Sequence, residues 1–132
     1  MSERRTVGSG GSYEDVYGYS RAVRVGPHVH VAGTCARDDD LDGDTYVQAA
    51  AVLRIIGRAL QDVGASTADV VRTVTYVTDM ADADLVARAH REVFADVRPA
   101  ATMVQVQALL DPRMRVEIEA YAIVPDRPRH PR

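Results

Sequence analysis

Apolar and polar residues alternate over several stretches of the chain. Two short alternating runs, separated by Gly26-Pro27, contain Val23, Val25, Val29 and Val31. This pattern is typical of two β-strands joined by a tight turn. Residues 69–80 are rich in β-branched side chains and predict a long strand. Two more strands are predicted over 101–109 and 114–124, with a turn near Asp111-Pro112.

Between these strands the apolar spacing becomes helical. A stripe with intervals of three or four residues is formed by Tyr46, Ala49, Leu53, Ile56, Leu60 and Val63. It predicts a helix with one apolar face that ends at Gly64. A second helix is predicted over about 82–95, with Val86 and Ala89 on one face. The order ββαβαββ predicts an α+β fold, a mixed sheet with both helices on one face.

The two ends of the chain lack these periodicities. Residues 1–12 contain Gly and Ser with little apolar content and predict a flexible lead-in. Residues 125–132 hold three prolines and three arginines and predict a tail that continues neither strand nor helix. Since 132 residues suit one folding unit, residues 13–124 are predicted to form a single domain.

Composition and charge exclude several classes of function. Net charge is −3, which gives no electrostatic reason to bind nucleic acid or an anionic membrane. No apolar run approaches the length of a membrane span, so a soluble, cytoplasmic protein is predicted. All 16 basic residues are Arg, which excludes catalysis by a lysine Schiff base. The single cysteine, Cys35, excludes an intramolecular disulfide.

Two patterns resemble metal sites, but neither favours metal binding. The acidic stretch 37–44 lacks the closing Glu of a calcium loop, so a solvated loop is preferred. His28 and His30 share one face of a predicted strand but supply only two ligands. The prediction is therefore a protein without metal or cofactor.

Alternation in the last two predicted strands separates two faces of the sheet. One set is predicted to lie under the helices: Thr102, Val104, Val106, Ala108, Val116, Ile118, Ala120 and Ala122. The other face is predicted to carry Ala101, Met103, Gln105, Gln107, Arg115, Glu117, Glu119 and Tyr121. This second face is interpreted either as an ordinary solvated surface or as a face covered by other subunits.

Short segments in a fixed order carry a resemblance to a known family. They are Tyr19–Gly26, Val31–Gly33, Gln48, Gly64-Ala65, Asp69–Thr73, Thr78–Met80, Pro99-Ala100 and Val116–Ala120. Over residues 19–124 the chain resembles the RidA/YjgF family of the Rid superfamily. The resemblance implies a chorismate-mutase-like fold. It also implies a homotrimer with a central barrel of sheets and three small-molecule clefts between subunits.

The best-known members of that family hydrolyse enamines or imines to 2-keto acids and ammonia. Their signature Pro-Ala-Arg supplies an arginine fork for the substrate carboxylate. Here Ala101 stands in place of that arginine, and Met103 stands where many members carry cysteine. An alanine offers no charge and no donor, so archetypal deaminase activity is expected to be weak.

The resemblance assigns site residues one by one. Glu117 matches the glutamate that positions or activates water, and Tyr19 matches a tyrosine that closes over the ligand. Substrate contacts are implied for Gly33, Thr34, Cys35, Ala101 and Met103. From its position before Pro99, Arg98 is a further candidate that would partly replace the missing arginine. From the residues alone, Glu117 paired with an arginine at a subunit contact, Tyr19 as a packed aromatic, and Arg98 at the surface remain alternatives. Cys35 is interpreted as a small buried residue rather than a nucleophile, because no basic partner is evident.

Two functions follow from these assignments. The first is a homotrimer with a small-metabolite cleft and cofactor-free hydrolase or tautomerase chemistry directed by Glu117. The second is a non-catalytic small-ligand-binding or interaction protein on the same trimer. Ribonuclease activity is disfavoured, because the chain lacks a basic stripe interleaved with aromatic residues.

Overall fold

Strands and helices alternate along the chain in a computed structural model that describes residues 3–126. The strands are β1 (Arg4–Val7), β2 (Ala22–Val25), β3 (His28–Thr34), β4 (Val70–Val77), β5 (Ala100–Gln105) and β6 (Val116–Ile123). The helices are α1 (Tyr13–Tyr17), α2 (Thr45–Asp62) and α3 (Ala83–Phe94).

All six strands belong to one sheet with the order β1-β2-β3-β6-β4-β5. Strands β4 and β5 are parallel, and every other neighbouring pair is antiparallel. The predicted α+β fold with a mixed sheet is therefore confirmed. Strand β6 lies between β3 and β4, although it follows both of them in the chain.

The helices cover one face of this sheet. A single core cluster joins α2, α3 and the sheet, and its fully buried members include Ile56, Leu60, Val77, Val86 and Ile118. Ile56 and Leu60 belong to the predicted stripe of α2, Val86 to the predicted face of α3, and Ile118 to the alternation in β6. Burying side chains of this size is the main favourable contribution to folding. We call this side of the sheet the helix-covered face.

Local signals set both ends of α2. The Asp44 carboxylate accepts a hydrogen bond from the Val47 backbone N–H at 2.9 Å and so caps the first turn. At the other end Gly64 has a φ of +79°, the left-handed conformation that glycine adopts readily. The Arg24 guanidinium donates to the Val63 carbonyl at 2.7 Å, which places a positive charge at the helix C-terminus.

The N-terminal segment departs from the sequence prediction. Residues 4–7 form β1, which pairs with β2 from Arg4 opposite Val25 to Val7 opposite Ala22. A flexible lead-in over 1–12 is therefore wrong for these four residues. Their polar sequence gave no alternation, and the strand forms because the edge of β2 offers unpaired backbone groups. Most of the predicted tail, residues 127–132, lies outside the described residues.

The pairing of β5 also corrects the predicted faces. Strand β5 lies beside β4 and not beside β6, so the segment with Asp111-Pro112 does not form a hairpin turn. Met103 is opposite Thr75 and packs against the core cluster, whereas Val104 is 40% exposed. Ala101 and Met103 therefore lie toward the helix-covered face, and Thr102 and Val104 lie on the other side.

A buried glutamine anchors the segment that leads into β6. Gln48 has no solvent exposure, and its Nε2 donates to the carbonyl oxygens of Leu41 and Arg113 at 3.1 and 2.9 Å. Its Oε1 accepts from the Arg115 backbone N–H at 2.9 Å. Because a buried amide is costly unless it is bonded, these contacts fix the position of β6 relative to α2.

Candidate functional site

The side of the sheet away from the helices carries paired polar groups. We call it the open face; on β6 it carries the half-buried side chains of Glu117, Glu119 and Tyr121. The Tyr76 hydroxyl donates to the Glu119 carboxylate, and the Tyr121 hydroxyl bonds to Nδ1 of His28. These side chains are held by neighbours and do not extend freely into solvent.

Glu117 lies at the centre of one cluster on this face. Its carboxylate lies directly over Gly33 of β3: a Cβ at Gly33 would be 2.8 Å from Oε2 and 2.9 Å from Cδ. The Cys35 thiol donates to Glu117 Oε1 over 3.4 Å. Oε2 accepts no hydrogen bond from residues 3–126. One carboxylate oxygen is therefore positioned, and the other is available to an incoming molecule.

The surroundings of Cys35 keep its thiol protonated. Burial first, and then the negative charge and hydrogen bond of Glu117, raise the pKa of the Cys35 thiol to about 12. A thiol with that pKa is a poor nucleophile at neutral pH. This supports the interpretation of Cys35 as a small, partly buried residue, and its role toward Glu117 is that of a hydrogen-bond donor.

A residue that the sequence analysis did not single out connects this cluster to its neighbours. Arg21 is only 7% exposed, and its Nη1 donates to the Gly33 carbonyl and to the Thr34 hydroxyl, at 2.8 Å each. Its Nη2 donates to the Tyr19 hydroxyl at 2.6 Å. An arginine ahead of a strand gives no sign of this in sequence, because its partners come from three segments.

The structure brings one group of the predicted site residues together. Tyr19, Gly33, Thr34, Cys35 and Glu117 are linked through Arg21 and the end of β3. Thr34 is 2% exposed, and its hydroxyl also donates to the Ala32 carbonyl at 2.7 Å. Its hydroxyl is therefore engaged inside the protein, and substrate contact by Thr34 stays a prediction.

A second group lies apart. Ala101 of β5 is opposite Thr73 of β4, and Glu117 of β6 is opposite Tyr76 of β4. Ala101 and Glu117 are therefore separated by three residues along the strands and by two strand spacings across the sheet. Standard strand spacings give a separation of roughly 14 Å, and the two face opposite sides of the sheet. Arg98 is exposed, with a φ of +55°, two residues before β5. Within one chain Arg98, Ala101 and Met103 do not meet Glu117.

Neither a metal site nor a membrane-spanning helix is found among residues 3–126. No three His, Cys, Asp or Glu side chains in this part of the chain come together to hold a metal ion. No helix in the same range is both long and apolar enough to cross a membrane. The acidic stretch forms a short 3-10 turn over Asp38–Asp42.

Comparison with known proteins places the chain in a family. The family model described as endoribonuclease L-PSP matches residues 12–124. The chain belongs to the RidA/YjgF family. A solved structure from Mycobacterium tuberculosis, described as a member of the YjgF/YER057c/UK114 family, superposes with a TM-score of 0.87 and is 47% identical. The match covers 92% of this chain and 100% of that one.

Curated RidA/YjgF relatives include a named enzyme. The chain is 33% identical to the mouse 2-iminobutanoate/2-iminopropanoate deaminase over 110 residues, 80% of each chain. It is 38% identical over 122 residues to an uncharacterized protein of Streptomyces coelicolor, covering 89% of this chain and 91% of that one. These matches confirm the resemblance seen in the sequence.

Proposed function

We propose that this protein is a RidA-like homotrimer that takes up a small metabolite at clefts between its subunits. It acts on that metabolite by acid–base chemistry directed by Glu117, with no cofactor. The single observation that carries the proposal is the Glu117 carboxylate, with Oε1 held by the Cys35 thiol and Oε2 lying over Gly33.

The proposed chemistry is addition of water to a carbon–nitrogen double bond. Glu117 Oε2 accepts a proton from water as the water oxygen bonds to the imine carbon, and the protonated carboxyl then transfers that proton to the nitrogen. Collapse of the resulting carbinolamine forms the carbonyl group and releases ammonia, so imine and water give a keto compound and ammonia. Proton transfer by a positioned carboxylate accelerates such steps by about 10²–10⁴-fold.

The trimer is part of the proposal because the two groups of site residues are separated. Glu117 and Ala101 lie roughly 14 Å apart on opposite faces of one sheet, so a site containing both requires a second copy of the chain. The paired, half-buried polar groups of the open face also suit a covered surface. Sedimentation should give three times the 14.4 kDa chain mass; a monomer at micromolar concentration contradicts the interface cleft.

Substrate preference is expected to differ from that of the named deaminases. The resemblance puts the family's carboxylate-binding arginine at Ala101, and an alanine provides no such fork. We therefore expect slow hydrolysis of small amino-acid-derived imines by the wild-type protein. Ala101→Arg is expected to raise that rate.

The decisive experiment compares two glutamates of the same strand. Imines are generated by a pyridoxal-phosphate dehydratase. Keto acid release is followed with three proteins: Ala101→Arg alone, Ala101→Arg/Glu117→Gln and Ala101→Arg/Glu119→Gln. Glu117→Gln should lower the rate by about 100-fold or more. Glu119→Gln, which alters a carboxylate on the same face, should retain it. Full activity in a stable Glu117→Gln trimer contradicts the mechanism.

The second candidate is a non-catalytic small-ligand-binding protein on the same trimer. The observation that favours it is Ala101, which removes the family's main substrate anchor while leaving the fold intact. It predicts no acceleration in either the wild-type or the Ala101→Arg background. It also predicts that small metabolites stabilise the trimer against heat.

A further inference from the structure

A groove rich in arginine lies between the loop that follows β1 and helix α2. Its volume is about 380 Å³, within the range that small ligands occupy. Four of its lining residues are Arg21, Arg37, Arg54 and Arg58. Among the described residues that line it, Asp62 is the one acidic group.

The positive charge of this groove is only partly neutralised. Arg58 pairs with Asp62 at 3.1 Å, but Arg54 lies 3.8 Å from Asp40 and its side chain is 67% exposed. Within residues 3–126 neither Arg21 nor Arg37 forms an ion pair. Arg37 instead donates to the Ser9 carbonyl at 3.0 Å. Four guanidinium groups thus face three carboxylates, those of Asp62, Asp40 and Glu14, so the groove keeps a net positive charge.

Arg21 gives the groove a fixed, desolvated charge. The guanidinium is held in place by the Gly33 carbonyl and the hydroxyls of Thr34 and Tyr19. Its field reaches Glu14: burial raises the pKa of that carboxyl, but hydrogen bonds from Ser9 and the charge of Arg21 outweigh burial and lower it. An anion in the groove would meet the same field.

Arg54 and Arg58 add a second unfavourable arrangement. They lie four residues apart on α2, where like charges face each other and destabilise a helix. An anion bound between Arg54, Arg58 and Arg37 would attract all three guanidinium groups and so offset the repulsion between Arg54 and Arg58. Several guanidinium forks from different elements suit a tetrahedral dianion, which has more acceptor oxygens than a carboxylate.

We propose that this groove binds the phosphate group of a small phosphorylated molecule, or free phosphate, through Arg37, Arg54, Arg58 and the preplaced Arg21. Among its lining residues the groove shares only Arg21 with the Glu117 cluster, and the others belong to α2, to the loop after β1 and to Arg37. It does not depend on the proposed catalytic function.

The test uses the full chain and measures binding, not turnover. Inorganic phosphate and glycerol phosphate are titrated separately by calorimetry, and thermal midpoints are recorded at constant ionic strength. Three proteins are compared: wild type, Arg54→Gln/Arg58→Gln, and Arg88→Gln/Arg91→Gln. The last pair removes the same charge from exposed positions of α3, outside the groove.

The expected result is saturable binding to wild type that weakens by about tenfold or more in the α2 double variant. The α3 control should bind as wild type does. Tighter binding of glycerol phosphate identifies a phosphorylated metabolite as the source, and equal binding identifies phosphate itself. The proposal is overturned if neither probe binds wild type, if the α2 variant binds unchanged, or if both double variants lose affinity equally.

Discussion

The two faces of the sheet use the same strands but hold their side chains differently. On β6 the residues Val116, Ile118, Ala120 and Ala122 are each 5% exposed or less beneath the helices. The alternating residues Glu117, Glu119 and Tyr121 are half-buried, and each bonds to a neighbouring side chain. Stability therefore comes mainly from the helix-covered face, whereas the open face holds polar groups in fixed positions.

The largest expected effect is on the free energy of unfolding, and it compares two isoleucines on opposite faces of β6. Ile118→Ala removes a side chain with no exposure and should cost about 2–5 kcal/mol of unfolding free energy. Ile123→Ala, at a position that is 39% exposed on the open face, should cost far less. Urea denaturation at low protein concentration measures both. Equal losses would contradict the assignment of stability to one face.

The next effect concerns Gly33, where the open face has little room for a methyl group. Gly33→Ala places a methyl group against the Glu117 carboxylate, which can turn away at a cost of about 0.5–1.5 kcal/mol. Gly57→Ala is the matched control: its Cβ would be 3.8 Å from Thr67 Cγ2, an ordinary contact, so helix propensity should stabilise α2 by up to about 1 kcal/mol.

A double variant separates that clash from a backbone effect at Gly33. Adding Glu117→Ala to Gly33→Ala removes the atoms that the methyl group meets and should recover part of the lost stability. If the double variant is no more stable than additivity predicts, the Glu117 carboxylate does not rest on Gly33.

Titration of Cys35 sharpens the electrostatic part of the comparison. Glu117→Gln removes the negative charge that helps to raise the thiol pKa to about 12, so the pKa should fall. It should remain above its ordinary value of 9.0, because burial is the larger cause and is unchanged. The pH dependence of the alkylation rate gives the midpoint. An identical midpoint in both proteins would show that Glu117 does not act on Cys35.

The smallest expected effect lies on the helix-covered face. Burial lowers the pKa of His90, whose Nε2 bonds to the Thr73 hydroxyl at 2.9 Å. The neutral form is thus favoured by folding. Its contribution is complete above the ordinary pKa of 6.5 and is lost as the pH falls through the lowered value. His90→Gln should therefore make unfolding free energy less pH-dependent between about pH 7.5 and about pH 5; an unchanged slope contradicts this.

Sequence patterns predicted the parts of the fold that local periodicity specifies. The stripe ending at Gly64 identified α2, and the alternation around Ile118 identified the covered side of β6. Strand β1 was missed because Arg4–Val7 has no alternation and depends on the edge of β2. The face predicted for Met103 was wrong. Residues on both faces of edge strand β5 are partly exposed, so alternation does not identify the buried face, and the parallel pairing of β5 with β4 depends on the strand order of the whole sheet.

The site was predicted only as far as the family resemblance extended. Glu117, Gly33 and Cys35 come together as neighbours on β6 and at the end of β3. Arg21 carried no signal, since its burial results from contacts with Ser9, Tyr19 and Gly33 that no short pattern encodes. Periodicity alone cannot predict clusters whose residues come from several segments.

The position of β6 has a consequence for how the chain folds as it is synthesised. Residues 116–123 emerge from the ribosome after every other described strand, yet they fill the gap between β3 and β4. Before β6 pairs, β1–β3 and β4–β5 share no strand, and the edges of β3 and β4 that β6 occupies are unpaired. Pairing of β6 with β3 joins residues far apart in sequence, which slows folding. The sheet is therefore completed in a late step, and Glu117 reaches Gly33 only in that step.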